Sequence, residues 1–262
     1  MTNKNMKNNY LIFSDLDGTL LDHENYSFEK ALPMLNYIKD HEIPLVLVTS
    51  KTKDEVVKLQ KKLDLNYPFI CENGAGIFIP DGNSYEVIAM GKLYDEVVEK
   101  FEEYSKDFKI KGFSQLSVDE VASLTGLDTT KASEAKARYF TEPFILNDVF
   151  KFNELKKRAN EDGLDIVRGG RFYHLITNGQ DKAKAILKVK EFYENKYNKD
   201  YYTIALGDGQ NDLTMLDVVN QGILIKRYDG TFVGFFKDGL IKTKLRGPEG
   251  WNESLQGILC PQ

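Results

Sequence analysis

The sequence predicts an α/β protein with a Rossmann-like, mostly parallel sheet core, helices on both faces, and an inserted α+β domain. Three observations predict it. Apolar runs of strand length alternate with amphipathic helical stretches near both ends of the chain. Two of those runs stop at acidic loops, DLDGT and GDGQND. Between them, from about residue 84 to 179, the rhythm changes to hairpins and short helices. The expected division is therefore 1–83 for the first part of the core, 84–179 for the insertion and 180–262 for the second part.

Tyr10–Phe13 reads as a buried strand, followed by the acidic loop from Ser14 to Thr19. From about Ser27 to Lys39, Phe28, Leu32, Leu35 and Ile38 recur every three or four residues, as on a helix with one covered face. Ile43–Val48 is a second strand ending at Thr49 and Ser50, and Asp54–Lys62 supplies a second helix. Phe69–Cys71 begins another strand. Gly74–Ile79 and Tyr85–Ile88 form a hairpin around PDGN, in which Asp81-Gly82 is the turn-forming pair. Helical patterns follow at Leu93–Phe108, Ser117–Leu124, Thr130–Arg138 and Phe150–Glu161. Leu164–Arg168 and Phe172–Thr177 then pair around Gly169 and Gly170. The core resumes with a helix at Lys182–Tyr193 and strands at Tyr202–Leu206 and Gly222–Ile225.

The chain of 262 residues is large enough for a substantial core, and its formal charge of -5 gives no general attraction to nucleic acid. Two cysteines, Cys71 and Cys260, are too few for a disulfide scaffold and are expected as free thiols. The polar first residues run into a short apolar segment rather than a signal-length one, and no apolar stretch approaches membrane-spanning length. A cytoplasmic protein with no membrane or nucleic-acid partner is the expectation.

A carboxylate can attack phosphorus only where a metal ion offsets the repulsion between two anions. Asp15 supplies such a nucleophile at a strand end, and Asp17 is two residues away, placed to give and later take a proton. Asp208 and Asp212 form a second acidic group after another strand. Their oxygens suit magnesium, with Asp208 the direct ligand and Asp212 either bound through water or orienting Lys182. GDGQND lacks the twelve-residue spacing of a calcium-binding EF-hand loop. Thr49 and the Ser50 backbone can donate to a phosphate oxygen, although TSKTKDE is also a good helix start. Lys182 can neutralise phosphate and Asp15, or it is a solvated helix lysine.

This combination resembles the haloacid dehalogenase-like phosphohydrolases: DLDGT at 15–19, Thr49, Lys182 in GQDKAKA and GDGQND at 207–212 match their four motifs. The resemblance implies a phospho-aspartate at Asp15, acid and base work by Asp17, and Mg2+ held by Asp15, the Asp17 carbonyl and Asp208. Over nearly the whole chain it is similar to the mannosyl-3-phosphoglycerate phosphatase family, through TSKT, ENGAGIF, ARYFTEPF, RGGRFYHL and GPEGWNE. The small phosphorylated sugar-glycerate that this implies as substrate would meet the inserted domain, where Arg168 or Arg171 can grip a carboxylate and His174 or Glu142 can serve the sugar or glycerate. A charged hairpin face is the alternative for the arginines, and a packed residue for His174. Gly247–Trp251 reads as a turn whose Trp251 either stacks on sugar or belongs to the core. Competing activities are a glucosyl-3-phosphoglycerate or hexose-phosphate phosphatase, a sugar phosphomutase, and a non-catalytic phosphate-dependent binding module.

Overall fold

The structure, a computed structural model, describes residues 9–169 and 172–260. It divides into two compact units, Met1–Thr49 with Lys182–Gln262, and Ser50–Asp181.

In the first unit the strands are β1 (Tyr10–Ser14), β2 (Leu45–Val48), β10 (Tyr202–Gly207), β11 (Gln221–Lys226) and β12 (Ile241–Arg246). They lie in the order β12-β11-β10-β1-β2. Every adjacent pair is parallel, with Ile12 opposite Ile204 and Leu45, and Leu206 opposite Ile223. β1, β2 and the middle of β10 are apolar and buried with no polar-apolar alternation, as sheets covered on both faces require. The helices of this unit are α1 (Leu32–Asp40), α7 (Lys182–Tyr197), α8 (Leu213–Val218) and α9 (Gly247–Leu259). The step from β1 to β2 runs one way along the sheet and that from β10 to β11 the other. Right-handed crossovers therefore put α1 and α8 on opposite faces. α1 packs with α9, and α7 with α8. The strand order reverses between β1 and β10, the place where such sheets open a crevice at their carboxyl ends.

The second unit begins with α2 (Lys53–Leu63) and the strands β3 (Phe69–Cys71), β4 (Gly76–Asp81) and β5 (Ser84–Ala89). These three pair antiparallel, and Gly82 turns the hairpin at φ +58°. A separate antiparallel sheet has the order β6-β7-β9-β8, from β6 (Ile110–Gly112), β7 (Glu142–Leu146), β8 (Leu164–Gly169) and β9 (Phe172–Thr177). One face of it packs Phe144, Leu164, Ile166 and Leu175 with Val97, Phe101 and Tyr104 of α3 (Tyr94–Asp107) and Leu155 of α6 (Phe152–Glu161). α4 (Val118–Thr125) and α5 (Thr129–Lys136) form a smaller cluster with Phe113 and Phe172. Neither cysteine is disulfide-bonded. Among the described residues, no helix is long and apolar enough to cross a membrane.

The expected strands and helices of both ends and of the insertion are present, with boundaries shifted by a few residues. One reading is corrected: Gly247–Trp251 is not a turn but the first turn of α9, with Pro248 at its start. A proline there gives up an amide that no helical carbonyl would have accepted.

Candidate active site

DLDGT leaves β1 while its first residue is still tied to the sheet, the Asp15 amide donating to the Leu206 carbonyl at 2.9 Å. The chain then folds back tightly: Thr19 and Leu21 amides donate to Leu16 O, and Gly18 N donates to Leu21 O. Gly18 is required twice over. Its φ is +80°, and a Cβ there would stand 2.8 Å from Asp208 Oδ2. Thr19 Oγ1 donates to Asp208 Oδ1 at 3.2 Å, so the two acidic loops touch through residues nearly two hundred positions apart.

The loop after β10 is organised by Asp212. Its Oδ2 accepts the amides of Asp208 at 3.1 Å and Gly209 at 2.8 Å, while Oδ1 accepts Lys182 Nζ at 2.6 Å. Lys182, the first residue of α7, also donates to Asp15 Oδ1 at 2.6 Å and to the Val48 carbonyl at 3.1 Å. It is 1% exposed, so the solvated-lysine alternative is excluded.

Carboxylate oxygens of Asp15, Asp208 and Asp212 lie within 4.8 Å of one another. Against three carboxylates stands the one ammonium of Lys182. Burial disfavours that ammonium's charge, but Asp15 and Asp212 outweigh it and hold its pKa above the ordinary lysine value. Burial and then the Asp212 charge push the Asp15 carboxyl well above the ordinary value, with Lys182 opposing. Asp208 is pushed up to about 7, by burial and Asp212, against Thr19 and Lys182. With all three carboxylates ionised, Lys182 offsets only part of the charge of this all-oxygen cluster, and that deficit, felt as raised carboxyl pKa values, is one a hard divalent cation fills. Asp15 and Asp208 fit the role of direct ligands. Both oxygens of Asp212 are already engaged, which suits it to orienting Lys182. The Asp17 side chain is outside the three-carboxylate cluster, while its backbone sits at the loop's turn, bridged to Leu21.

Thr49 is buried at the end of β2. The helix-cap alternative falls elsewhere, on Thr52, whose side chain and Glu55 form a capping box at the start of α2. Within the second unit, Ser50 O accepts Arg138 Nη2 at 3.0 Å. His174 is buried on β9, with no partner for Nδ1 among the described residues, and burial followed by the Arg138 charge lowers its pKa to about 3. Arg168 is exposed and its guanidinium lies 5.8 Å from the Tyr173 ring centre. Strand alternation puts it on the face of Ile166, opposite to that of Val167 and His174. Arg171 lies outside the described residues. Glu142 is fully buried, accepting Tyr94 Oη at 2.6 Å and the Ser114 amide and hydroxyl, so its bonds are structural rather than open to a sugar.

The model of the haloacid dehalogenase-like hydrolases matches residues 12–229. The chain belongs to that family. It is 45% identical to a glucosyl-3-phosphoglycerate/mannosyl-3-phosphoglycerate phosphatase of Persephonella marina, over 95% of this chain and 97% of the relative. It is 37% identical to a protein of the same description from Methanococcoides burtonii, again over 95% and 97%. Among solved structures, Thermoplasma acidophilum 0175 superimposes with a TM-score of 0.74 at 20% identity, covering 95% of this chain and 98% of that one. The sucrose-phosphatase of Synechocystis sp. gives 0.64 at 15% identity, covering 96% and 98%. These two likenesses concern the fold.

As a haloacid dehalogenase-like hydrolase with its acidic triad in place, the chain is a magnesium-dependent phosphatase. Two side chains of this enzyme escaped the sequence reading, and a third, Trp251, was left open between sugar stacking and the core. Trp251 is fully buried and its Nε1 donates to Ser14 Oγ at 3.0 Å, which settles it as a core residue. Glu72 and Arg138 form a buried ion pair. Both arginine and glutamate stood inside quoted segments, ARYFTEPF and ENGAGIF, but an isolated charge in a sequence carries no sign that it is buried.

Proposed function

We propose that this phosphatase removes the phosphate of 2-O-mannosyl-3-phosphoglycerate, leaving mannosylglycerate, with glucosyl-3-phosphoglycerate as the second substrate to test. The observation that supports this reading most is end-to-end similarity to two relatives described as acting on both esters, at 45% and 37% identity.

In the first half-reaction an Asp15 oxygen attacks phosphorus, and the bond to the glycerate oxygen breaks as Asp17 protonates it. In the second, Asp17 takes a proton from water, the water oxygen attacks phosphorus, and the bond to Asp15 breaks to release inorganic phosphate. Lys182 lies against Asp15 and compensates charge gathering on the phosphoryl oxygens, while the Thr49 hydroxyl and Ser50 amide donate to them. Bound at Asp15, Asp208 and the Asp17 carbonyl, Mg2+ would supply the positive charge that lets an anionic nucleophile approach an anionic ester. Residues 84–179 act as a cap that excludes water and contacts the part of the substrate beyond the phosphate. Arg171 and His174 are its candidate contacts to the glycerate and sugar, whereas Arg168 shares the helix-packed face of Ile166 and lies opposite His174. The buried, neutral, unpartnered His174 Nδ1 favours a hydrogen bond to a polar ligand over a charge contact.

A magnesium-dependent phosphate-release panel decides among the readings. Mannosyl- and glucosyl-3-phosphoglycerate should outrun free 3-phosphoglycerate and hexose phosphates, and Asp15→Asn should abolish release. Comparable release by Asp15→Asn overturns the mechanism, and preference for a hexose phosphate overturns the substrate.

A further inference from the structure

Glu72 is the most heavily bonded carboxylate described in Ser50–Asp181. It follows β3, is fully buried, and has a left-handed backbone with φ 51°, continued by Asn73 at 59° and Gly74 at 92°. Its Oε1 accepts the Tyr139 amide at 2.8 Å. Its Oε2 accepts the Phe140 and Thr141 amides at 3.2 and 2.8 Å, Thr141 Oγ1 at 2.9 Å and Arg138 Nε at 3.3 Å. Two non-glycine residues held at positive φ mark a conformation that the surroundings impose rather than one the chain prefers.

The same pair reaches back to the start of the unit. Arg138 Nη2 donates to the Ser50 carbonyl at 3.0 Å, and the Glu72 amide donates to the Lys51 carbonyl at 3.1 Å. Two successive carbonyls are thereby pinned. Because a trans peptide is planar, a pinned Ser50 carbonyl aims the Lys51 amide the opposite way, and the pinned Lys51 carbonyl does the same for Thr52. The Glu72 carbonyl accepts Gln180 Nε2 at 2.8 Å, two residues before Lys182. Glu72 and Arg138 together thus restrain the chain one and two residues after Thr49, and Glu72 restrains it two residues before Lys182.

We propose that Glu72 and Arg138 are positioning residues that fix the direction of Ser50–Lys51, the segment that continues from Thr49, and of the approach to Lys182. The inference rests on the phosphatase reading, in which Thr49, Ser50 and Lys182 hold the phosphoryl group. Donors aimed at a transition state act only when their direction is set beforehand, and small misplacements cost large factors in rate. Segment 50–51 has no strand or helix to set that direction, since β2 stops at Val48 and α2 starts at Lys53. The ion pair does it instead.

Arg138→Lys in the full chain tests this. Lysine keeps the charge and can reach Glu72, but a single ammonium cannot reproduce the guanidinium's fork onto Ser50 O as well. Measured with Mg2+ at a temperature where circular dichroism shows the variant folded, kcat should fall about tenfold or more. The fall should be equal on p-nitrophenyl phosphate and on mannosyl-3-phosphoglycerate. Competitive inhibition by inorganic phosphate should weaken by a similar factor, and Glu72→Gln, where it folds, should repeat the pattern. An unchanged kcat and phosphate inhibition constant, with only the melting temperature lowered, would reduce the pair to a structural bolt. A loss confined to the glycerate-bearing ester would make Arg138 a substrate contact and overturn positioning. If the unsubstituted chain hydrolyses neither ester, the phosphatase reading fails first and takes this inference with it.

Discussion

Trp251 Nε1 donates to Ser14 Oγ across 3.0 Å, and that hydroxyl donates in turn to the Asp15 carbonyl at 2.7 Å. All three residues are buried. A side chain of α9 thereby braces the peptide of the proposed nucleophile from behind the sheet.

Trp251→Phe keeps an aromatic ring but removes the donor and some volume. The expected loss is about 1–3 kcal/mol of unfolding free energy, from the unmet hydroxyl and the space left behind. Turnover should slow severalfold with little change in KM. Urea denaturation and steady-state kinetics check the two effects, and an unaltered kcat would mean that the brace is dispensable to chemistry.

Lys182→Met removes the ammonium from beneath Asp15 and Asp212. Breaking a buried pair from one side costs about 3–5 kcal/mol, because the remaining charges stay desolvated. Turnover should drop by at least about a hundredfold. The variant should also gain more thermal stability from Mg2+ than the unsubstituted protein does, since the cation then carries the whole compensation. Equal magnesium-induced shifts in a thermal melt would contradict this.

Asp208→Asn is expected to act in opposite directions with and without metal. In EDTA it should stabilise the fold, because Asp208 is held at about 7 by burial and by Asp212, above its unfolded value. A carboxyl whose pKa rises on folding makes the metal-free protein less stable as pH climbs from about 4 to 7. The substitution should flatten that slope and abolish the stabilisation by Mg2+. Melts at pH 5 and 7.5 with EDTA or MgCl2 supply the four measurements needed.

His174 imposes the reverse slope. Its pKa of about 3 in the fold lies below the ordinary histidine value, so the unfolded chain binds the extra proton between about 3 and 6.5. Stability is complete above that window and is lost as pH falls through it, by about 2 kcal/mol at pH 5. His174→Asn should remove this part of the acid sensitivity. Parallel stability-pH curves for the two proteins would show that His174 is not buried neutral.

The chemistry of this enzyme was legible because Asp15, Thr49 and Asp208 each follow an apolar strand, and the carboxyl ends of neighbouring parallel strands converge. Lys182 was placed by motif alone; its burial required seeing Asp15 and Asp212 close around it. The insertion was less legible. β6 has only Ile110–Gly112, too short for alternation to show, and β7 opens with Glu142-Pro143, a pair that reads as a breaker. Pro143 is accommodated just past the last pairing of β6, Gly112 with Phe144. At the far end, β12 was not foreseen: Lys242, Lys244 and Arg246 interrupt any apolar run, yet lysines on an outermost strand discourage unwanted pairing. Glu72 and Arg138 show the deeper limit: all five donors to that carboxylate lie in Arg138–Thr141, more than sixty positions away and brought to it only by folding.

The interleaving of the two units bears on how the protein is made. Ser50–Asp181 is continuous and leaves the ribosome before Lys182, Asp208, Asp212 and Trp251 are added. It can therefore collapse on its own core during synthesis, while Asp15 waits for partners still untranslated. Competence for phosphate chemistry arrives late in translation, and a truncated product lacking β10 would carry the nucleophile without the means to use it.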